Sequence, residues 1–256
     1  MNKTIAIYKQ ELKYYFQSVT AYVTMGVFLL LSGYFFYSIF RYYNLLSFQA
    51  SRNPYIAENL NLTDGILRPL FGNMSIILLL LLPLLTMRLF AEEKKQGTFE
   101  LLLTYPVRDS EVVAGKFLAT TTTFAAMLVC TLLYPLLLAL FSDPEPGPII
   151  SGYLGLFLMG CTFISIGTFF SSLTSNQLVA GVNAFGVGLF FLIIGWSVPF
   201  VGPRFAGLLG QLSLLQHFEG FSKGIVDTQD VSYYLFMTLF FLFLTLRSLE
   251  STRWRS

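Results

Sequence analysis

Apolar runs alternate along this chain with short polar stretches, and the charges mark where each run ends. Charge-free runs occupy residues 17–40, 69–87, 117–142, 146–203 and 231–246. An ionised side chain at the bilayer centre costs about 2.5–3.5 kcal/mol on insertion scales, so the bounding charges limit the spans. A helical crossing needs about 20 residues, so the run 146–203 holds two, parted at the polar cluster Ser171, Ser172, Thr174, Ser175, Asn176 and Gln177. The pattern predicts an all-α polytopic membrane protein with six transmembrane helices, near 20–40, 70–88, 114–141, 150–171, 178–201 and 231–248. The whole chain, 1–256, then forms a single transmembrane domain.

Residues 1–17 place Ile5, Tyr8, Leu12, Tyr15 and Phe16 at helical spacing, with Lys3, Lys9 and Lys13 on a basic side, the pattern of an amphipathic interfacial helix. It is not read as a signal peptide, because the next apolar run is too long and lacks a small-residue cleavage site. Between the fifth and sixth spans, residues 202–230 are apolar yet punctuated by Gly207, Gly210, Gly220 and Gly224, which predicts short helices forming a re-entrant or capping element. Pro83 and Pro135 are expected to kink their spans. Ala180, Ala184 and Gly188, and the glycines at 152, 155, 160 and 167, allow close helix approach, either within the bundle or between subunits.

The composition, 55% hydrophobic and 12% charged with a mean hydropathy of +0.66, excludes an ordinary soluble domain. Lys and Arg bias gives the orientation. With the N-terminus cytoplasmic, Lys3, Lys9, Lys13, Arg88, Lys94, Lys95, Arg108, Lys116, Arg247, Arg253 and Arg255 fall inside, against Arg41, Arg52, Arg68, Arg204 and Lys223 outside. Both termini are therefore expected in the cytoplasm, in a multi-pass protein of the cell inner membrane. Cys130 and Cys161 lie within apolar runs and form neither a disulfide framework nor a metal-ligand spacing. The chain carries no phosphate-binding P-loop, zinc-protease or nucleophile-elbow motif, and its spans are nearly free of the acids and histidines that couple ion flow to transport. Energy for any work must then come from outside the bundle. His217, the one histidine, reads as structural; the catalytic alternative joins it to Glu219 or Asp227.

The most informative stretch is polar. Residues 91–116, AEEKKQGTFELLLTYPVRDSEVVAGK, lie between the second and third spans. They open with Glu92, Glu93, Lys94 and Lys95, break at Gly97, restart at Thr98 as a short helix carrying Phe99, Glu100, Leu101, Leu102 and Leu103, and turn at Pro106, with Asp109 or Ser110 capping the next helix. An apolar ridge in so charged a loop calls for a protein partner.

The succession Glu92-Glu93-Lys94-Lys95-x-Gly97-Thr98-x-Glu100-Leu101-Leu102-Leu103-x-x-Pro106-Val107, followed by Val113-x-Gly115-Lys116-x-Leu118-Ala119, closely resembles the loop between the second and third spans of type-2 ABC transporter permeases. Leu212-Ser213-x-x-x-x-His217-Phe218 and Gly224-Ile225-Val226-Asp227-x-x-Asp230-Val231-x-Tyr233 resemble the GldF-type permeases of gliding motility, and the copper-related NosY permeases are similar too. The resemblance implies a transmembrane subunit that binds no cofactor itself and pairs with a second six-span subunit, the same chain or a homologue. On this resemblance a separate cytoplasmic ABC ATPase dimer would hold Mg-ATP. Residues 91–107 would be the coupling helix, docking Phe99, Leu101 and Leu102 in a groove of the ATPase, with Glu92, Glu93, Glu100, Lys94 and Lys95 at its rim. A GldG-like membrane subunit with a large extracytoplasmic domain commonly accompanies GldF-type permeases. The implied function is export or force transmission to an extracytoplasmic protein. The other classes are a membrane-embedded enzyme or a scaffold built on the 202–230 loop; no nucleic-acid partner is expected.

Overall fold

The computed structural model describes residues 3–50, 61–98 and 107–253 of the chain. Nearly all of these are helical. Helix α1 (Lys3–Gln17) is followed by α2 (Val19–Ala50), which forms the first span. A π-helical turn, Thr63–Leu67, runs into α3 (Arg68–Thr86), the second span, and a short turn leads on to α4 (Ala91–Gln96). The third span is built from α5 (Asp109–Thr131) and α6 (Leu133–Phe141), and the fourth is α7 (Pro146–Leu173). The fifth joins α8 (Gln177–Ile193) to a 3-10 segment, Ile194–Phe200. Two short helices, α9 (Pro203–Leu212) and α10 (Leu214–Ser222), then precede α11 (Thr228–Arg253), the sixth. Each of the six spans is long and apolar enough to cross a membrane. Because the spans alternate in direction, α1 and α4 share one face of the bundle and α9 and α10 the other.

Helix α2 runs on to Ala50, past the end expected near residue 40. At 1.5 Å per residue its 32 residues extend about 48 Å, well beyond a hydrocarbon core of about 30 Å. Arg41 and Tyr42 are exposed beyond the apolar stretch, so the charge marks where the span leaves lipid, not where the helix stops. The two prolines act differently. Helix α3 continues through Pro83 to Thr86. Pro135 coincides with the break at Leu132, and the Thr131 carbonyl, which a proline nitrogen cannot serve, accepts the Tyr153 hydroxyl at 2.8 Å.

Helix α7 is central, packing on α3, α5, α8, α10 and α11. The most apolar windows of the second and fourth spans are 78% and 72% buried, against 17% for the first, so those two form the inside of the bundle. The α7 glycines explain how the neighbours come so close. Gly160 faces the Phe124 ring and Gly167 the Thr86 side chain, each with no room for a Cβ. Gly188 of α8 faces Leu79 and Phe163, and Ala180 and Ala184 are buried beside it. The small-residue stripes therefore serve packing within this chain.

The same geometry predicts a sharp contrast between two glycines. Gly167→Val should destabilise the bundle by about 1–3 kcal/mol through overpacking against Thr86. Gly186→Ala, where a Cβ meets nothing within 4 Å, should not lower the melting temperature in detergent.

Candidate functional site

Lys116 lies two turns into α5 and is 2% exposed. A desolvated ammonium must be paired to be tolerated. Its Nζ donates to Glu11 of α1 and, at 2.7 Å, to Glu93 of α4, and it stands 5.3 Å from the centre of the Phe90 ring. One cation thus joins α1, the base of the 91–107 stretch and the third span. Both carboxylates are largely withdrawn from solvent.

Helix α4 is arranged to present Glu93. Glu92 and Glu93 occupy its first turn and Lys94 and Lys95 its last, each sign at the favourable end of the helix dipole. Gly97 closes it at φ 73°, a left-handed conformation that favours glycine. Lys94 Nζ reaches the Ser172 carbonyl at the end of α7, and the Thr98 hydroxyl donates to the Glu93 carbonyl at 3.3 Å.

Helix α1 docks along the same junction. Tyr15 is buried, its hydroxyl 3.0 Å from the Leu85 carbonyl and 2.9 Å from Thr120 Oγ1. Ile7 and the Thr4 carbonyl pack against Gly115, and the Tyr8 hydroxyl donates to Thr122. Arg88, at the end of the second span, donates to Ser18 Oγ at 2.6 Å, and its guanidinium carbon sits 4.9 Å from the Tyr14 ring centre and 5.2 Å from that of Tyr15. Burial, then the Glu92 carboxylate, raises the Tyr14 phenol above its ordinary pKa, and burial raises Tyr15 further. Both stay protonated, so Tyr14 donates to Glu92. A cavity of about 1020 Å³ opens between α1, α4 and α5, bordered by Thr98 and Val107, the described residues that flank 99–106.

Of the expected coupling residues, Glu92, Glu93 and Lys94 join this junction, Lys95 is exposed, Gly97 caps α4, and the chain is helical again at Thr98. Phe99, Glu100, Leu101, Leu102, Leu103 and Pro106 lie outside the described residues. The cap of α5 differs from expectation: the helix begins at Asp109, and the Glu111 carboxylate accepts the Arg108 amide at 2.9 Å, so neither Asp109 nor Ser110 caps it. Sequence reasoning did not find the Glu11–Lys116–Glu93 triad. Its signal was present, since Glu11 is the one acid among residues 1–17 and Lys116 falls inside a span.

On the opposite face, His217 Nδ1 lies 2.7 Å from Asp230 Oδ1 and Nε2 3.1 Å from the Gln211 carbonyl, with the ring stacked on Tyr233. The Tyr233 and Tyr234 hydroxyls donate to the Leu212 and Leu214 carbonyls, both at 2.7 Å. Asp227 instead accepts the Gln229 amide, and Glu219 faces Lys223. Neither carboxylate joins His217, whose nitrogens are taken up in fastening α9 and α10 to the sixth span.

The family described as "ABC-2 family transporter protein" matches residues 42–246, from inside α2 to inside α11. The chain belongs to the ABC-2 transporter family. A relative from Pseudomonas aeruginosa, named "Probable ABC transporter permease protein NosY", is 31% identical over 115 residues, 40% of this chain and 39% of that protein. The chain thus spans about two fifths of that relative. Family membership and the six long apolar helices agree in making the chain an integral membrane protein. In this ABC-2 permease the polar junction joins the second and third spans.

Lys116→Met should leave Glu11 and Glu93 facing each other without a cation and destabilise the protein by about 3 kcal/mol, the range for removing one partner of a buried pair. Glu11→Gln and Glu93→Gln added to Lys116→Met should recover most of that loss, read by thermal unfolding in detergent.

Proposed function

We propose that the chain is a non-catalytic permease subunit driven by a cytoplasmic ABC ATPase dimer, and that residues 91–107 carry the drive. The observation that carries this reading is the Lys116 triad: Glu93 of α4, at the base of the stretch, is ion-paired to Lys116 of the third span, which also pairs with Glu11 of α1. Closure of the ATPase around Mg-ATP pushes the stretch, and the triad passes the push to α5 and α1 together. Phe99, Leu101 and Leu102 supply the docking ridge, with Glu100 and the α4 charges at the rim.

In this reading the α1 face is cytoplasmic, both termini are inside, and the protein sits in the cell inner membrane. The Lys and Arg distribution supports that orientation. The whole chain works as one transmembrane domain paired with a second six-span subunit, and α9 and α10 form the external, re-entrant element. The kinship is GldF-like, on the resemblance of Ser213, His217, Asp230 and Tyr233; three of these, His217, Asp230 and Tyr233, meet in one cluster. A GldG-like partner would lie above it.

Ser75, Thr120, Thr122, Thr123, Ser165 and Thr168 return their hydroxyls to carbonyls of their own helices. A strongly polar substrate path gains no support from them, which favours a lipid-like cargo or force transmission to an extracytoplasmic protein.

Gly97→Pro or Glu100→Arg should abolish permease-stimulated hydrolysis by the ATPase that remains bound after gentle detergent extraction, with the permease still inserted. Full stimulation in both variants, or extraction that brings down no P-loop ATPase, contradicts the reading.

A further inference from the structure

The joint between the second span and α4 is held by a side chain from a different span. The Phe90 and Ala91 amides donate to Ser171 Oγ at 3.0 and 3.1 Å, and that hydroxyl donates its own hydrogen to the Met87 carbonyl at 3.0 Å. Phe90, Ala91 and Ser171 are all fully buried, so water does not compete. A hydroxyl offers one donor and two acceptor positions, and here all three are used on one short turn.

The neighbouring serine shows the ordinary alternative. Ser172 Oγ bonds back to the Phe169 carbonyl of its own helix at 2.7 Å, as serines near helix ends commonly do. Ser171 turns away from its helix to the joint. The Ser172 carbonyl adds to the attachment by accepting from Lys94 of α4 and Ser248 of α11.

We propose that Ser171 is a positioning residue that fastens the end of the fourth span to the joint ahead of α4, so that movement of α4 reaches α7 directly. The drive then has two outlets: Lys116 leads to the third span and α1, and Ser171 leads to the helix at the centre of the bundle. This rests on the coupling role proposed for residues 91–107, although the clamp itself is measurable without it.

In the purified permease, Ser171→Ala leaves two buried amides without an acceptor. Hydrogen exchange of the peptide covering 87–96, followed by mass spectrometry, should then rise about tenfold or more. Ser172→Ala, which removes only the bond within α7, should exchange as the unaltered protein does. Ser171→Cys, whose thiol is a weak acceptor, should fall between them and serves if the alanine variant does not fold. In the complex with its ATPase, Ser171→Ala should lower the stimulated kcat and leave the KM for ATP unchanged. Exchange unaltered by Ser171→Ala overturns the clamp, whatever the ATPase does. Raised exchange with full stimulation in that variant overturns the positioning role. Full stimulation in Gly97→Pro as well places the failure in the coupling reading instead.

Discussion

A single buried ammonium sets the terms for one end of this protein. Lys116 sits where an apolar span meets water, too deep to be hydrated and too charged to be left alone. Its two carboxylates come from α4 and from α1, which also packs along α5 through Ile7, Tyr8 and Tyr15. Removing the cation leaves two acids facing each other. The geometry of α4 is therefore inseparable from that of α1, and neither can shift far without the other.

The two faces of the bundle are fastened by different chemistry. On the α1 face charge does the work, helped by the Tyr15 hydroxyl and by the Arg88 guanidinium over two tyrosine rings. On the opposite face hydroxyls and an imidazole pin the ends of short helices to the sixth span. Between them the bundle is tightly packed, and its glycines let rings and side chains lie against bare backbone. Among the described residues, the middle of the bundle holds no Asp, Glu, Lys, Arg or His.

Much of this was legible in the sequence because membranes impose coarse rules. Spans follow from charge spacing, and the break at residues 174–176 follows from a polar cluster within an apolar run. Gly97 announced the end of α4 because few other residues adopt its backbone conformation. The junction was harder to see, since Glu11 and Lys116 are 105 positions apart and nothing local links them. His217 shows the same limit: Glu219 and Asp227 were the nearer acids in sequence, yet Asp230 faces the ring because it lies on the first turn of α11. The role of small residues in α7 and α8 could be narrowed only by seeing which side chains covered them.

The central claim is that α1 and α4 move as one body through Lys116. Nitroxide labels replacing the exposed Lys9 and Lys95, in a background without Cys130 and Cys161, report that distance by pulsed dipolar spectroscopy in the assembled complex. The account predicts one narrow distance distribution, the same without nucleotide and with ATP bound. A distribution that splits or shifts when ATP binds would contradict it.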